Sequence, residues 1–433
     1  MERLWNRNYC KVMVANFSLF FAFYVLSPLL PLYLSEHFGA TKDVIGLVLS
    51  GYTVTALVMR PFSGYMVDSF PRKTVLMVSF TAFAIFFAGY LAASTLLLFT
   101  IVRTLHGAPF GALTVANSTV AIDVLPSSRR TEGIGYYGLS NNLAMAIAPT
   151  IGIFIYRYTH SFELLFWLAL AVAVAGLLVD GSLPPSPFNR RGSSTADKAS
   201  PSRGRLVGAD RFFLVRGWLL GVNMVAFGFC FGVLSNYLAI YGKEVMGITG
   251  GTGTYFMLCS VGLILSRLQG GKALRIGRVT HNAAEGICIS LVGYTLFILG
   301  PTLLTLWDGG SRSTLVACSE GLKKFFTLHF SLFTYYGSAL LIGLGNGHMW
   351  PAFQNMTISV APNSQRGTAN STILVSWDVG MGLGILMGGV ISELASYSAA
   401  FWTVSGVHAV GALLFFTATR RFFLERNLNP NVR

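Results

Sequence analysis

The sequence predicts an all-α membrane protein with twelve transmembrane helices arranged as two pseudo-symmetric six-helix bundles. Three observations predict it. Of 433 residues, 53% are hydrophobic and only 11% charged, where a soluble globular protein carries roughly 25% charged residues. Apolar stretches long enough to cross a bilayer, about 20 residues each, recur twelve times. A polar linker then divides these stretches six and six, and motifs of the first half return in the second.

The spans are expected at 10–34, 43–66, 73–94, 97–122, 131–156 and 162–183, then at 213–241, 249–268, 281–304, 329–358, 367–391 and 398–419. Lipid offers the backbone no hydrogen-bond partners, so each span must be helical rather than an open strand. The opening stretch carries Arg3, Arg7 and Lys11, contains Pro28 and Pro31 and runs on to Leu34. That is too long for the apolar region of a cleavable leader, and it reads as a first span. Residues 184–211 are basic and rich in Pro, Ser and Gly, a linker composition. The expected domains are therefore a bundle over 1–183, a linker over 184–211 and a second bundle over 212–433.

Charge gives the expected topology. With the N-terminus in the cytoplasm, the outside holds Lys42, Arg157, Lys243, Arg312, Lys323 and Lys324, while Arg60 and Arg103 fall inside spans. That leaves 23 of 31 basic residues on the inside, the bias of a chain with both termini cytoplasmic. The net charge of +14 then needs no nucleic acid partner. Cys10, Cys230, Cys259, Cys288 and Cys318 show no metal-type spacing, and neither a disulfide framework nor a metal site is expected.

The repeat is specific in position. Arg60-x-x-x-Gly64-x-x-x-Asp68 ends the second span, and Arg267-x-x-x-Gly271-x-x-x-Arg275 ends the eighth. Gly107-x-x-x-Gly111, then Pro126 and Arg130, returns as Gly343-x-x-x-Gly347, Pro362 and Arg366. The offset grows from 207 to 236 residues, which points to an insertion at 301–330, outside the membrane. Two repeats of this kind place a solute between them near mid-membrane.

The loop after the second span reads Gly64-Tyr-Met-Val-Asp68-Ser-Phe-Pro71-Arg72-Lys73. It resembles the loop signature of the major facilitator superfamily, with Ser69 in place of a usual arginine and Pro71 in place of a usual glycine. The resemblance covers nearly the whole chain. It implies that Gly64, Asp68, Arg72 and Lys73 form a cytoplasmic gate motif in which the aspartate helps hold the two halves together. On physical grounds Asp68 is placed to meet a helix N-terminus or an arginine such as Arg129 or Arg130. Arg103-Thr-Leu-His106-Gly107 looks like the family's arginine motif on the fourth span, with His106 where glutamine is common. In the proton-coupled branch that arginine is tied to proton movement. In the fifth span Gly135, Pro149 and Gly152 match the motif of the twelve-helix drug–proton antiporter, or arabinose-efflux-like, branch. There Ala144, Ala148 and Ile153 replace glycines, so smallness survives at two of three positions.

Asp378, in the eleventh span, is the one acid expected near the centre of a span, and Asn142 is its counterpart in the repeat. An ionisable group at that depth is costly and marks function, so Asp378 is expected to bind proton or substrate. His348 in the tenth span is a further member of a proton relay or a helix–helix hydrogen bond. Tyr24, Asn141, Asn142, Asn223, Asn236, Tyr255, Trp350, Gln354 and Trp377 are the expected cavity groups. No phosphate-cradling loop is present, so ATP-driven transport by this chain is not expected, nor is a cofactor. The expected function is secondary active transport of a small organic solute by alternating access, as proton-coupled efflux from the inner membrane, with the bilayer, the solute and protons as partners and a monomer as the working unit. An importer of a sugar, amino acid, peptide or siderophore-like solute is the alternative. A membrane-embedded enzyme would need a catalytic His/Asp or acid constellation at a membrane face, which the loops lack, and a non-transporting receptor on the same fold is a third reading.

Overall fold

The structure is a computed structural model that describes residues 4–184, 208–248, 251–310, 320–429 and 432. Most of the 184–211 linker, and residues 311–319 of the insertion, lie outside the described residues. Every regular element among the described residues is helical.

The first expected span is broken in two, α1 (Arg7–Leu26) and α2 (Leu30–Phe38). Pro28 has no N–H to continue the ladder and its ring crowds the preceding turn, which ends the helix; Pro31 sits in the first turn of α2, where a missing N–H costs nothing. Gly39 then closes α2 at φ 63°, with its N–H on Ser35 O and that of Ala40 on Leu34 O, a left-handed C-cap that suits glycine. Next come α3 (Lys42–Ser69), α4 (Arg72–Ala92), α5 (Leu96–Val124), α6 (Arg130–Thr159) and α7 (Phe162–Gly181).

The later helices are α8 (Trp218–Glu244), α9 (Thr252–Arg275), α10 (Val279–Gly310), α11 (Glu320–Val360), α12 (Arg366–Leu394), α13 (Tyr397–Leu414) and α14 (Arg420–Arg426). A π-turn over Phe415–Thr419 joins α13 to α14, so the last span runs past its expected end at 419. α10 and α11 likewise extend into the 301–330 insertion from both sides. Prolines 61, 109, 149, 301 and 351 lie inside helices, a placement that membrane helices tolerate.

Nine helical segments among the described residues are long and apolar enough to cross a membrane by length and composition. The other three spans are α3, α9 and α11; α3 and α9 each bury an arginine, Arg60 and Arg267. Large apolar side chains face outward, among them Leu47 at 70%, Leu97 at 71% and Leu394 at 82% exposure. In water such a surface would aggregate; in lipid it is the solvated face.

The chain forms two compact units. One comprises Met1–Trp218 with Thr357–Val375, the other Leu219–Met356 with Ser376–Arg433. The first thus takes in the end of α11 and the opening of α12. Its core is aromatic and aliphatic, with Leu19, Phe80, Phe83, Phe99 and Phe166 nearly sealed. The core of the second is built on Leu234, Tyr241, Tyr255, Phe297 and Phe401.

The repeat has a packing meaning inside each unit. A Cβ on Gly107 would strike Tyr52 O and Thr55 Oγ1, and one on Gly111 would strike Ala56 O, all on α3. In the other unit a Cβ on Gly343 would strike Cys259 O, and one on Gly347 would meet Ser266 and Leu263 O, all on α9. Each Gly-x-x-x-Gly therefore brings two backbones into contact, the small-residue packing of membrane helices. The prolines of the repeat act alike too. Pro126 precedes a 3₁₀ turn over Ser127–Arg129 and a helix opening at Arg130; Pro362 precedes a 3₁₀ turn over Asn363–Gln365 and a helix opening at Arg366.

Candidate functional site

Within the first unit the last turn of α3 meets the first turn of α12. Gly367 N–H donates to Asp68 Oδ1 at 2.7 Å; Thr368 donates to Oδ2 through its N–H at 2.7 Å and its Oγ1 at 2.8 Å. The first N–H groups of a helix have no partner within it and carry its positive end, so a carboxylate fits here by geometry and by charge. Gly64 permits the approach, since a Cβ there would lie 2.7 Å from Ser371 Cβ and 3.0 Å from Gly367 O. The helix N-terminus expected for Asp68 is that of α12. Its arginine neighbour is Arg72, at 3.6 Å, while Arg129 pairs with Glu132 and Arg130 donates to Ile122 O.

Arg72 also holds Asp123 Oδ2 at 2.5 Å, and Arg366 reaches Asp123 Oδ1 at 3.4 Å. Asp123 at the end of α5 thus lies between two buried guanidinium groups, each of which its charge helps to offset. Lys73 Nζ donates to Gly181 O at 2.9 Å and to Leu183 O, and Lys11 Nζ donates to Ser182 O at 2.9 Å. These are the free carbonyls at the C-terminal end of α7, where cations are favoured. Past the linker, Leu214 N–H donates to Thr372 Oγ1 at 2.8 Å, and Gln365 Nε2 to Asp210 Oδ2 at 3.1 Å.

Deeper in the same unit Arg103 is buried at 6% exposure. Its Nη1 donates to Tyr90 Oη at 3.1 Å, and that hydroxyl lies 2.6 Å from His106 Nδ1. The guanidinium carbon sits 4.0 Å from the Tyr52 ring centroid, a cation–π distance. Tyr24 is half-buried against Phe20 and Phe23. On α6, Ala144 and Ala148 are sealed while Ile153 faces outward at 37%; the two small replacements lie inside and the bulky one does not. Gly152 packs on Val25 O, while Gly135 is buried and Pro149 half-buried. Asn142 is buried, and Asn141, half-buried, leaves its Oδ1 without a partner among the described residues.

In the second unit His348 Nδ1 lies 2.8 Å from Asn282 Oδ1, and Asn282 Nδ2 donates to His348 O at 2.8 Å. The imidazole is thereby part of a tie between α11 and α10. Asp378 is half-buried on α12 beside Trp377, whose ring meets Trp350 at 5.2 Å and Phe231 at 5.6 Å. Asn223 is sealed, donating to Gly411 O at 2.8 Å and accepting from Thr419 Oγ1. Its amide joins α8 to the last span rather than facing open space. Tyr255 is sealed too, 3.2 Å from Ser338 Oγ; Gln354 is buried, and Asn236 is exposed and bonded to Gly232 O.

The model of the Major Facilitator Superfamily matches residues 12–322 and 314–428. The chain belongs to that superfamily. It is a membrane transporter, not an enzyme. It is similar to the staphylopine export protein of Staphylococcus aureus, 22% identical over 398 residues that cover 90% of each chain. It is also similar to a Na⁺, Li⁺, K⁺/H⁺ antiporter of Planococcus maritimus, 27% identical over 182 residues, 40% of this chain and 42% of that one. Among solved structures it resembles the superfamily transporter FucP, with a TM-score of 0.70 at 15% identity, over 96% of this chain and 99% of that one.

Two features of this superfamily member escaped the sequence. Asp123 lies close to a span end, and nothing local marks it as the partner of residues from α4 and α12. Asp180, on the last turn of α7, is sealed at 0% exposure with neither carboxyl oxygen partnered among the described residues. It sits one residue from the end of an apolar span, where nothing local in the sequence marks it as sealed.

Proposed function

We propose that the chain is a proton-coupled exporter of a small organic solute, working as a monomer in the inner membrane with both termini in the cytoplasm. The observation that carries the reading is Asp68 on the first turn of α12. A helix opened by three hydrogen bonds to one carboxylate can be released by losing that one group, which is what an alternating gate requires. Export is supported by the relative named for it over nine-tenths of both chains, and proton exchange by the antiporter relative. Asp378 is the proposed proton carrier, with Arg103 and His348 as the other charges of the path, and Trp350 and Trp377 as aromatic walls for the solute.

The test is flux in proteoliposomes carrying an internal pH dye. Adding a transported solute is expected to move protons opposite to it, and Asp378→Asn to abolish the response to a pH gradient. Flux indifferent to the gradient removes proton coupling. Unchanged gradient-driven flux in Asp378→Asn removes that residue from the mechanism. Solute and protons moving together establish uptake in place of export.

A further inference from the structure

Arg103 sits in a cluster that holds no anion among the described residues. Tyr52 from α3, Tyr90 from α4 and Arg103 and His106 from α5 are all buried, none above 6% exposure. Tyr90 Oη accepts from Arg103 and lies 2.6 Å from His106 Nδ1. With the hydroxyl proton placed in that second bond, the imidazole is neutral and carries its hydrogen on Nε2. Tyr90 and His106 give the guanidinium a lone pair but no negative charge, and no carboxylate pairs with Arg103 among the described residues.

Buried donors are left over: among the described residues His106 Nε2 has no hydrogen-bond partner, and neither have Arg103 Nε–H and Tyr52 Oη–H. The last two belong to stacked groups, with the guanidinium 4.0 Å over the tyrosine ring. Buried donors without acceptors are costly, and a buried charge without a counter-charge more so. The rings around them are apolar: Phe23 lies 5.4 Å from Tyr52, and Phe110 lies 5.3 Å from Tyr52 and 5.0 Å from Phe23.

We propose that Arg103 and Tyr52 bind the carboxylate of an amphipathic organic solute, with Phe23, Tyr24 and Phe110 taking its apolar part. One cation and one hydroxyl match a single negative charge and its lone pairs. A phosphate dianion would leave one charge unbalanced. The proposal rests on the transport reading above, because it takes Arg103 as part of the solute path.

The test uses purified full-length protein at pH 7 and a matched pair of probes, 3-phenylpropionate and its uncharged amide, with binding read as thermal stabilisation. The acid is expected to bind at least about tenfold more tightly than the amide, the effect of one charge-assisted hydrogen bond. Tyr52→Phe keeps the ring and removes only the unpartnered hydroxyl. It is expected to weaken acid binding about tenfold and to leave the melting temperature of the unliganded protein unlowered. Arg103→Gln is expected to erase the preference for acid over amide; Arg103→Lys, which keeps the charge and loses the planar fork, is expected to weaken it. Equal stabilisation by acid and amide, no stabilisation by the acid, or unchanged acid affinity in Tyr52→Phe overturns the proposal. Because binding is read without flux, acid selectivity in a protein that shows no gradient-driven transport would sink the transport reading alone.

Discussion

Asp123 has a side chain only 3% exposed, and Arg72 and Arg366 both lean on it at 3% and 9%. Removing one partner of a buried pair leaves a stranded charge and costs about 3–5 kcal/mol. Asp123→Ala is therefore expected to lower the stability of the purified protein by about that amount, with a double-mutant cycle against Arg72→Met recovering a large part of it. A cycle showing simple additivity would mean the two do not interact. The residue scale is also where the sequence was least legible. Gly64 and Asp68 stood out because they share one short motif, and their partner is a helix start that a proline and an arginine announce. Asp123 draws its partners from positions 51 and 243 residues away along the chain, a pairing no local pattern reveals. Asn223 read as a polar group facing a cavity because helix position alone does not say which neighbour a face meets; that neighbour is Gly411 and the π-turn at Thr419.

At the scale of elements the twelve spans were legible because each is a long apolar run, and the differences fall where local backbone geometry overrides a run. Pro28 splits the first span, and the π-turn carries the last one beyond its expected end. The Gly-x-x-x-Gly repeats predict more than similarity. Gly107→Val and Gly343→Val each force a side chain into a neighbouring backbone carbonyl, at Tyr52 and at Cys259. Each is expected to cost about 3 kcal/mol, the upper end for overpacking, read as a fall in melting temperature. Gly382 on α12 is the control, since a Cβ there meets nothing within 4 Å. Gly382→Ala is expected to be neutral, or to stabilise by up to about 1 kcal/mol through a less flexible unfolded chain.

For the whole molecule, the expected orientation rests on the distribution of basic residues, and it makes a prediction about access. Ser69, the last residue of α3, and Ser94, between α4 and α5, are both exposed. In a background free of native cysteines, a membrane-impermeant maleimide added to intact cells is expected to label Ser94→Cys and to spare Ser69→Cys; the reverse pattern would invert the topology. One further consequence follows from the hydrogen bonds on either side of residues 185–207. The chain leaves α7 where Lys11 and Lys73 grip three successive carbonyls, Gly181 to Leu183. It returns where Asp210 and Leu214 are bound by Gln365 and Thr372. Both moorings belong to the same compact unit. A cut between residues 195 and 196 would free two ends that are tied down 12 and 14 residues away, at Leu183 and Asp210. Fragments 1–195 and 196–433, made separately in one cell, are expected to find each other and restore gradient-driven flux, so covalent continuity across that stretch is dispensable to the working transporter.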